Sequence, residues 1–181
     1  MRSVASPIRV IWIPVLLACG LLAAPLLTRG VKAAATTDRL VTMQDACDPE
    51  SFNALFGPGT CLRNGGVRFD EFVAQLLKHQ SVGAWHFAPT FTNVKEGDTF
   101  VAVNRGGEVH TFTEVDDFGG GIIPELNALA GTPDIAPACA ALEDDDFVPP
   151  GGTYREDADE AGTVKFQCCI HPWMRLTAKV K

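Results

Sequence analysis

The chain has 181 residues, enough for one domain with a proper hydrophobic core. It carries 22 acidic residues against 15 basic ones, a net charge of −7. This balance excludes nucleic acid as a partner, because its phosphates would be repelled by an acidic surface. It is compatible with a basic protein partner, although an acidic face kept for solubility is the commoner explanation.

The first 35 residues have the pattern of a secretory signal peptide. A short basic start precedes the apolar run VIWIPVLLACGLLAAPLL, and Ala33 and Ala35 supply the small residues that a signal peptidase needs. We expect cleavage after Ala35 and a periplasmic or secreted protein with no stable membrane insertion. The alternative is an uncleaved anchor, because the apolar run could almost span a bilayer. A lipoprotein site at Cys19 is disfavoured, since more apolar sequence follows that cysteine.

Removal of residues 1–35 changes both the charge and the cysteine count. The segment contains four basic residues and no acidic one, so 11 basic and 22 acidic residues remain, a net charge of −11. An odd number of cysteines also remains, which in an oxidising compartment fits two disulfides and one cysteine held as a thiolate for metal. These cysteines are Cys47, Cys61, Cys139, Cys168 and Cys169.

We interpret residues 36–81 as a helical N-terminal extension. After a polar lead, Asp48 can cap a short helix with Pro49 in its first turn. The flanking Cys47 and Cys61 are close enough in sequence to close a small loop. Further along, FDEFVAQLLKH places apolar residues on one face of a second helix, which predicts packing rather than chemistry. These residues are Phe69, Phe72, Val73, Leu76 and Leu77.

From about Val82 the sequence predicts a β-sandwich. Short runs rich in Val, Thr and Phe alternate with turn signals, and strands are again predicted in GTYRED, GTVKFQC and RLTAKVK. Residues 118–150 interrupt the pattern with three glycines, a short helix from about Pro124, and the acidic run 143–146. We interpret them as a long inserted loop in a mainly β domain of residues 82–181.

The stretch QCCIHPWMR places Cys168, His171 and Met174 at intervals of three residues. A thiolate, an imidazole and a thioether suit copper better than magnesium, calcium or manganese. A blue-copper site needs one thiolate, two histidines and a weak axial methionine, so a second histidine must come from elsewhere. Zinc would usually need a second Cys/His pair. A purely structural alternative places both adjacent cysteines in disulfides, with His171 on the surface and Met174 in the core.

Three other histidines could supply the missing ligand. His79 lies on the second helix, away from its apolar face, so we expect it to be solvated. His86 stands in a strand-like segment beside aromatic residues and is expected to be packed or at an edge. His110 follows a Gly-Gly turn in VAVNRGGEVHTF, where a side chain can be presented at the rim of a sheet.

At these residues the chain resembles a known family. VNRGGEVHTFTEV, GGTYRE and GTVKFQCCIHPWM are similar to a small cupredoxin of the plastocyanin and azurin type, and the ligand loop is most similar to that of amicyanin. The resemblance covers residues 82–181 and implies a cupredoxin-like Greek-key β-sandwich with one type 1 copper ion. The inserted loop and the helical extension depart from the simplest members of the family.

The resemblance also implies the site residues by position. The ligands are His110, Cys168 and His171, with Met174 axial. Asn104 and Thr111 flank the first histidine and are expected to support the site through hydrogen bonds.

The resemblance and strand geometry together separate the two adjacent cysteines. Cys168 matches the spacing of the family loop, whereas Cys169 stands too close to the histidine. Neighbouring side chains on a strand point to opposite faces, so Cys169 points away from the metal, where it could meet Cys139. Connectivity cannot be deduced from spacing alone. The expected disulfides are Cys47–Cys61 and Cys139–Cys169.

Four protein ligands leave no open position for a substrate, so we predict a monomeric electron carrier and not an enzyme. His171 is expected near the surface as the electron port. Pro172 and Trp173 would shape an apolar patch around it, where a redox partner docks transiently. The acidic surface would steer a basic partner toward the protein. The alternative is copper storage or delivery, although the chain, with three methionines and four histidines, has no Met-rich or His-rich tail. A catalytic role, through loss of Met174 or a donor from His86, has no positive support.

Overall fold

The computed structural model describes residues 36–181. The predicted signal peptide, its cleavage site and the alternative anchor lie outside the described residues. Between residues 36 and 181, no helix is both long and apolar enough to cross a membrane. The strands are β1 (Asp38–Gln44), β2 (His86–Ala88), β3 (Phe91–Val94), β4 (Thr99–Asn104), β5 (His110–Thr111), β6 (Thr113–Glu114), β7 (Phe147–Val148), β8 (Thr153–Asp157), β9 (Gly162–Gln167) and β10 (Arg175–Val180). The helices are α1 (Pro49–Phe56), α2 (Phe69–His79) and α3 (Pro124–Ala130), with 3₁₀ turns at Pro137–Ala141 and Asp144–Asp146.

The longer strands form two four-stranded sheets. Their strand orders are β2-β1-β4-β8 and β3-β10-β9-β6. Strand β1 runs parallel to β4, and β3 runs parallel to β10, while the remaining neighbours are antiparallel. The chain passes from one sheet to the other after β2, after β3, between β4 and β6, between β6 and β8, and again after β8, as in Greek-key sandwiches. The prediction of a mainly β sandwich is confirmed.

The core contains aromatic side chains from both sheets. The rings of Phe112 and Phe166 stack with centroids 4.3 Å apart, and Phe100 meets Phe166 edge-on at 4.9 Å. All three side chains are at most 2% exposed. Burial of a phenylalanine contributes about 1.5–3 kcal/mol, so this cluster holds the sheets together.

Strand β1 corrects the interpretation of residues 36–81. The sequence predicts a polar lead there, but β1 lies between β2 and β4 in the first sheet. Val41 and Met43 are fully buried, whereas Leu40 is 57% exposed. Only two buried positions carry this alternation, so the strand is recognisable mainly by its pairing with β4. The expected helical extension therefore begins with a strand of the sandwich.

Helix α1 forms as predicted. The carboxylate of Asp48 accepts a hydrogen bond from the backbone N–H of Ser51 at 2.9 Å, which caps the first turn. Gly57 ends the helix with a φ of 98°, a conformation that favours glycine. The predicted disulfide between Cys47 and Cys61 is confirmed and holds the helix and its following loop in place.

Helix α2 packs through most of its predicted apolar face. Phe72 and Leu76 are buried, and Phe69 and Val73 pack against the core. Leu77 is 65% exposed, so its placement on the buried face was wrong. At 3.6 residues per turn it lies about 80° around the helix from Phe69, which places it at the edge of the contact.

The segment 118–150 is an ordered attachment to the sandwich. Helix α3 begins at Pro124, as predicted. The end of the segment forms β7, in which Val148 pairs with His110 of β5. The predicted disulfide between Cys139 and Cys169 is confirmed and joins the segment to the end of β9. The insertion is therefore tied to both parts of the chain that carry the predicted ligands.

Candidate metal centre

A tight loop between β9 and β10 positions three of the predicted ligands. The backbone N–H of Cys168 donates to the carbonyl of Met174 at 3.0 Å, and the N–H of Met174 donates to the carbonyl of His171 at 2.9 Å. These bonds fold the seven-residue segment back on itself between paired strands. The loop therefore presents Cys168 and His171 on one side.

Strand β5 brings His110 to the same place. Its Nδ1 lies 3.7 Å from Cys168 Sγ, and His171 Nδ1 lies 3.8 Å from the same sulfur. The donor atoms of the three residues lie within 4.8 Å of one another. Cys168 and His110 are fully buried and His171 is 3% exposed. The structure thus gathers one sulfur and two imidazole nitrogens in a solvent-excluded group.

The spacing of these atoms leaves room for one metal ion between them. With metal–sulfur and metal–nitrogen bonds of about 2.3 and 2.0 Å, two ligands of one metal lie about 3.5–3.7 Å apart. The observed sulfur–nitrogen separations of 3.7 and 3.8 Å are compatible with that spacing. The donor set of His110, Cys168 and His171, one thiolate and two imidazoles, therefore fits copper.

Met174 lies at the end of the loop with its side chain fully buried. Its backbone bonds hold it next to Cys168 and His171. Its role as the axial ligand stays a prediction.

The two adjacent cysteines differ in their bonding. Cys169 is bonded to Cys139, whereas Cys168 is the free cysteine of the described residues. Burial alone would raise the pKa of Cys168, but hydrogen bonds and attraction from His110 and His171 hold it well below its usual range. The group thus favours the thiolate, the form in which cysteine binds metals.

Asp45 supports His110 from the side opposite the sulfur. The Nε2 of His110 donates to Asp45 Oδ2 at 2.9 Å, with both side chains fully buried. The carboxylate also accepts the backbone N–H groups of Gly107 and Glu108. Burial opposes its charge, but the bonds to His110 and to these N–H groups lower the pKa of Asp45 to about 2. A carboxylate on the outer nitrogen fixes the ring orientation and increases the basicity of the ligating nitrogen.

Glu108 occupies the corresponding position beside His171. Its Oε2 lies 3.6 Å from His171 Nε2 and accepts a 2.6 Å hydrogen bond from Trp85 Nε1. Burial raises the pKa of Glu108. Asp45 and Glu108 were both missed by sequence reasoning. The position of Glu108 two residues before His110 was an available signal, whereas the contact of Asp45 spans 65 residues and leaves none.

The supporting residues expected from the resemblance lie where they can act. Thr111 donates its backbone N–H to Cys168 Sγ at 3.4 Å, and its hydroxyl accepts the N–H of Cys169 at 2.8 Å. The side-chain amide of Asn104 donates to the carbonyls of Glu108 and Val148, both at 2.8 Å. Asn104 therefore fixes the turn that leads into β5.

The other histidines do not join this group. His86 lies half-buried in β2, with its Nδ1 3.2 Å from the carbonyl of Ala84. His79 ends α2 and is exposed, as predicted.

The expected exposure of His171 was wrong. Pro172 is also buried and Trp173 is half-buried, so they do not form an exposed patch. The rings of Trp85 and Trp173 lie 6.4 and 5.6 Å from that of His171. His171 instead lines a cavity of about 620 Å³ beside α1, α2 and α3. The helical segments, absent from the sequence-based picture of the site, separate this histidine from the surface.

Among known proteins, only solved structures are similar to this chain. No protein-family model matches the sequence, and no curated protein matches it. A purple cupredoxin from Nitrosopumilus maritimus is 14% identical with a TM-score of 0.45, over 80% of this chain and 100% of that one. An oxidised plastocyanin from Dryopteris crassirhizoma is 17% identical with a TM-score of 0.41, over 79% and 100%. A Cu(I) form of an amicyanin variant is 22% identical with a TM-score of 0.36, over 53% and 73%.

The TM-scores of these three structures are 0.45 or less. Such values say nothing about ligands or activity, and the candidate centre stands on this chain's own side chains.

Proposed function

We propose that this is an exported type 1 copper protein that carries single electrons between redox partners, with one copper ion bound by His110, Cys168, His171 and Met174. The observation that carries the proposal is the buried group of one thiolate and two imidazoles, with sulfur–nitrogen separations of 3.7 and 3.8 Å. A soft sulfur ligand beside two imidazoles favours copper over harder metals.

Copper would supply a one-electron step by cycling between Cu(I) and Cu(II). The chain's own residues position the ligands. The backbone bonds of the loop set Cys168 against His171, and Asp45 fixes the ring of His110. Because the proposed ligands all come from the protein, no position is left open for a substrate, and we propose no enzymatic activity.

Export and the partner belong to the same proposal. Two disulfides suit an oxidising compartment, in agreement with the signal-like pattern of the first 35 residues. Several acidic side chains lie close together near β6. The pKa of Glu114 is raised mainly by burial and, to a smaller extent, by repulsion from Glu156 and Glu160. A basic partner would relieve this repulsion and be steered toward the surface. We propose that the monomer meets such a partner transiently.

Redox cycling tests the function. Copper-loaded protein should show intense visible absorption that a reductant bleaches and an oxidant restores over repeated cycles. A spectrally silent copper complex would contradict an electron carrier. Rapid transfer of Cu(I) to a metal-free acceptor protein, without reversible cycling, would favour storage or delivery instead.

A further inference from the structure

Helices α1, α2 and α3 enclose an apolar pocket beside the candidate metal centre. Its volume is about 620 Å³, within the range of about 300–1,000 Å³ that is typical of small-molecule sites. Phe52 and Phe72 contribute buried aromatic walls, and Leu126 and Leu129 come from α3. The segments that depart from a minimal sandwich therefore combine to form one concave site.

Two buried polar residues line the pocket. His171 is 3% exposed and Glu108 is 8% exposed, and both line the cavity. Trp85 donates to Glu108 Oε2, but no described residue donates a hydrogen bond to Glu108 Oε1. Glu108 Oε1 is not among the buried side-chain atoms that lack a partner, so it is accessible from solvent and can accept a hydrogen bond from a molecule in the pocket. A ligand with a hydroxyl group could supply that donor.

The charges of the lining exclude anionic ligands. Besides His171, the ionisable residues around the cavity are Glu108 and Glu125, with no lysine or arginine among the described lining residues. Thr60 adds one hydroxyl. Two carboxylates repel a carboxylate or phosphate ligand, and apolar walls disfavour a strongly hydrated one. An uncharged molecule with a hydrogen-bond donor fits this lining.

The geometry of the walls favours a flat ring. Phe52 and Phe72 meet edge-on at 5.6 Å, and Phe72 meets Trp85 edge-on at 4.9 Å. Aromatic pairs in such arrangements gain free energy beyond their buried area. An aromatic ligand would extend this cluster toward His171.

We propose that the pocket binds a small, uncharged aromatic molecule that carries a hydroxyl group, a phenol or a hydroquinone. Its ring packs among the phenylalanines, and its hydroxyl donates to Glu108 Oε1. The bound ring lies beside the imidazole of His171. Binding requires no metal, so this inference does not depend on the proposed function.

Calorimetry on the metal-free full chain tests the proposal with three related probes. We expect 2-naphthol to bind with a stoichiometry of one. Naphthalene, which lacks the hydroxyl, should bind about fivefold more weakly, the loss of one hydrogen bond. The anion 2-naphthoate should bind at least about tenfold more weakly than 2-naphthol. No saturable binding of 2-naphthol, or equal binding of the anion, would overturn the proposal.

Two pocket-filling variants locate the binding. Val73→Trp fills the cavity from α2 and Leu129→Trp fills it from α3, and either should weaken 2-naphthol binding at least about tenfold. Leu77→Trp is the matched control, because Leu77 lies on the same helix as Val73 but is 65% exposed and does not line the cavity. Circular dichroism identifies any variant that fails to fold. Unchanged binding in a folded pocket variant, or an equal loss in the control, would contradict the assignment.

Discussion

The carboxylate of Asp45 accepts a 2.9 Å hydrogen bond from His110 Nε2, while Nδ1 of the same ring faces Cys168. Both side chains are fully removed from solvent. The pair links the residue directly after β1 to the candidate ligand on β5. It explains why a strand near the start of the described chain contributes to a site near its end.

Replacement of Asp45 by Asn should weaken copper binding. The variant keeps the shape but removes the charge that orients His110 and increases its basicity. Loss of such a partner typically lowers metal affinity about tenfold to a hundredfold. Competition with a chelator of known affinity measures the change. Asp38→Asn is the control, because that side chain is 65% exposed, and an equal effect in both variants would contradict a specific role for Asp45.

The stability of the metal-free protein should fall as the solution becomes acidic. Burial alone would lower the pKa of His110, but bonding to Asp45 and Cys168 raises it from 6.5 to about 9. A raised pKa gives stability that is complete below pH 6.5 and lost as the pH rises through about 9. The lowered pKa of Cys168 acts in the opposite sense, because it gives stability that is complete above pH 9 and lost as the pH falls, so the two contributions offset each other between pH 6.5 and 9. The pKa of Asp45, lowered from 3.8 to about 2, gives stability that is complete above pH 3.8 and lost as the pH falls toward 2.

Urea unfolding of the metal-free protein across this pH range measures the dependence. We expect the free energy of unfolding to change little between about pH 6.5 and 9 and to decline as the pH falls from 6.5 toward 2. The part of the decline below pH 3.8 should shrink in Asp45→Asn. A free energy of unfolding that stays constant between pH 6.5 and 2 would contradict these assignments.

Met174→Leu separates a ligand role from a packing role. The two side chains have similar volumes, so the exchange should cost less than about 1.5 kcal/mol of stability. If Met174 is the axial ligand, loss of the thioether removes a donor that stabilises Cu(II), and the reduction potential should rise while the visible absorption is retained. Voltammetry of the copper-loaded variant measures the potential. The control Leu176→Met, at another fully buried position, should leave it unchanged.

Two tryptophans offer a matched test of the polar group around His171. Trp85→Phe removes the N–H that donates to Glu108, and should cost about 1–3 kcal/mol for the unpaired acceptor in addition to lost packing. Trp173→Phe removes an indole N–H that has no partner among the described residues, so it carries no such penalty. Chemical denaturation should show Trp85→Phe to be the less stable variant. The reverse order would contradict the importance of this hydrogen bond.

Local spacing made much of the fold and of the site predictable. The intervals of Cys168, His171 and Met174 marked the loop, and the resemblance together with alternation along the strand separated Cys168 from Cys169. Asp48 and Pro49 marked the start of α1 because capping is a property of neighbouring residues.

Features that depend on distant contacts could not be predicted in this way. β1 is defined by pairing with β4, and Asp45 reaches His110 across 65 residues. The burial of His171 depends on helices that pack over it from other parts of the chain. None of these leaves a local pattern, because tertiary packing determines them.

A copper titration followed by visible absorption tests the central claim most directly. The protein should gain intense absorption that saturates at one copper ion per chain. Cys168→Ser should remove the absorption, because it replaces the thiolate. The double variant Cys139→Ser/Cys169→Ser should keep the absorption and lose about 2–4 kcal/mol of stability. Absorption that survives in Cys168→Ser, or saturation at more than one copper ion per chain, would contradict the assignment of this centre.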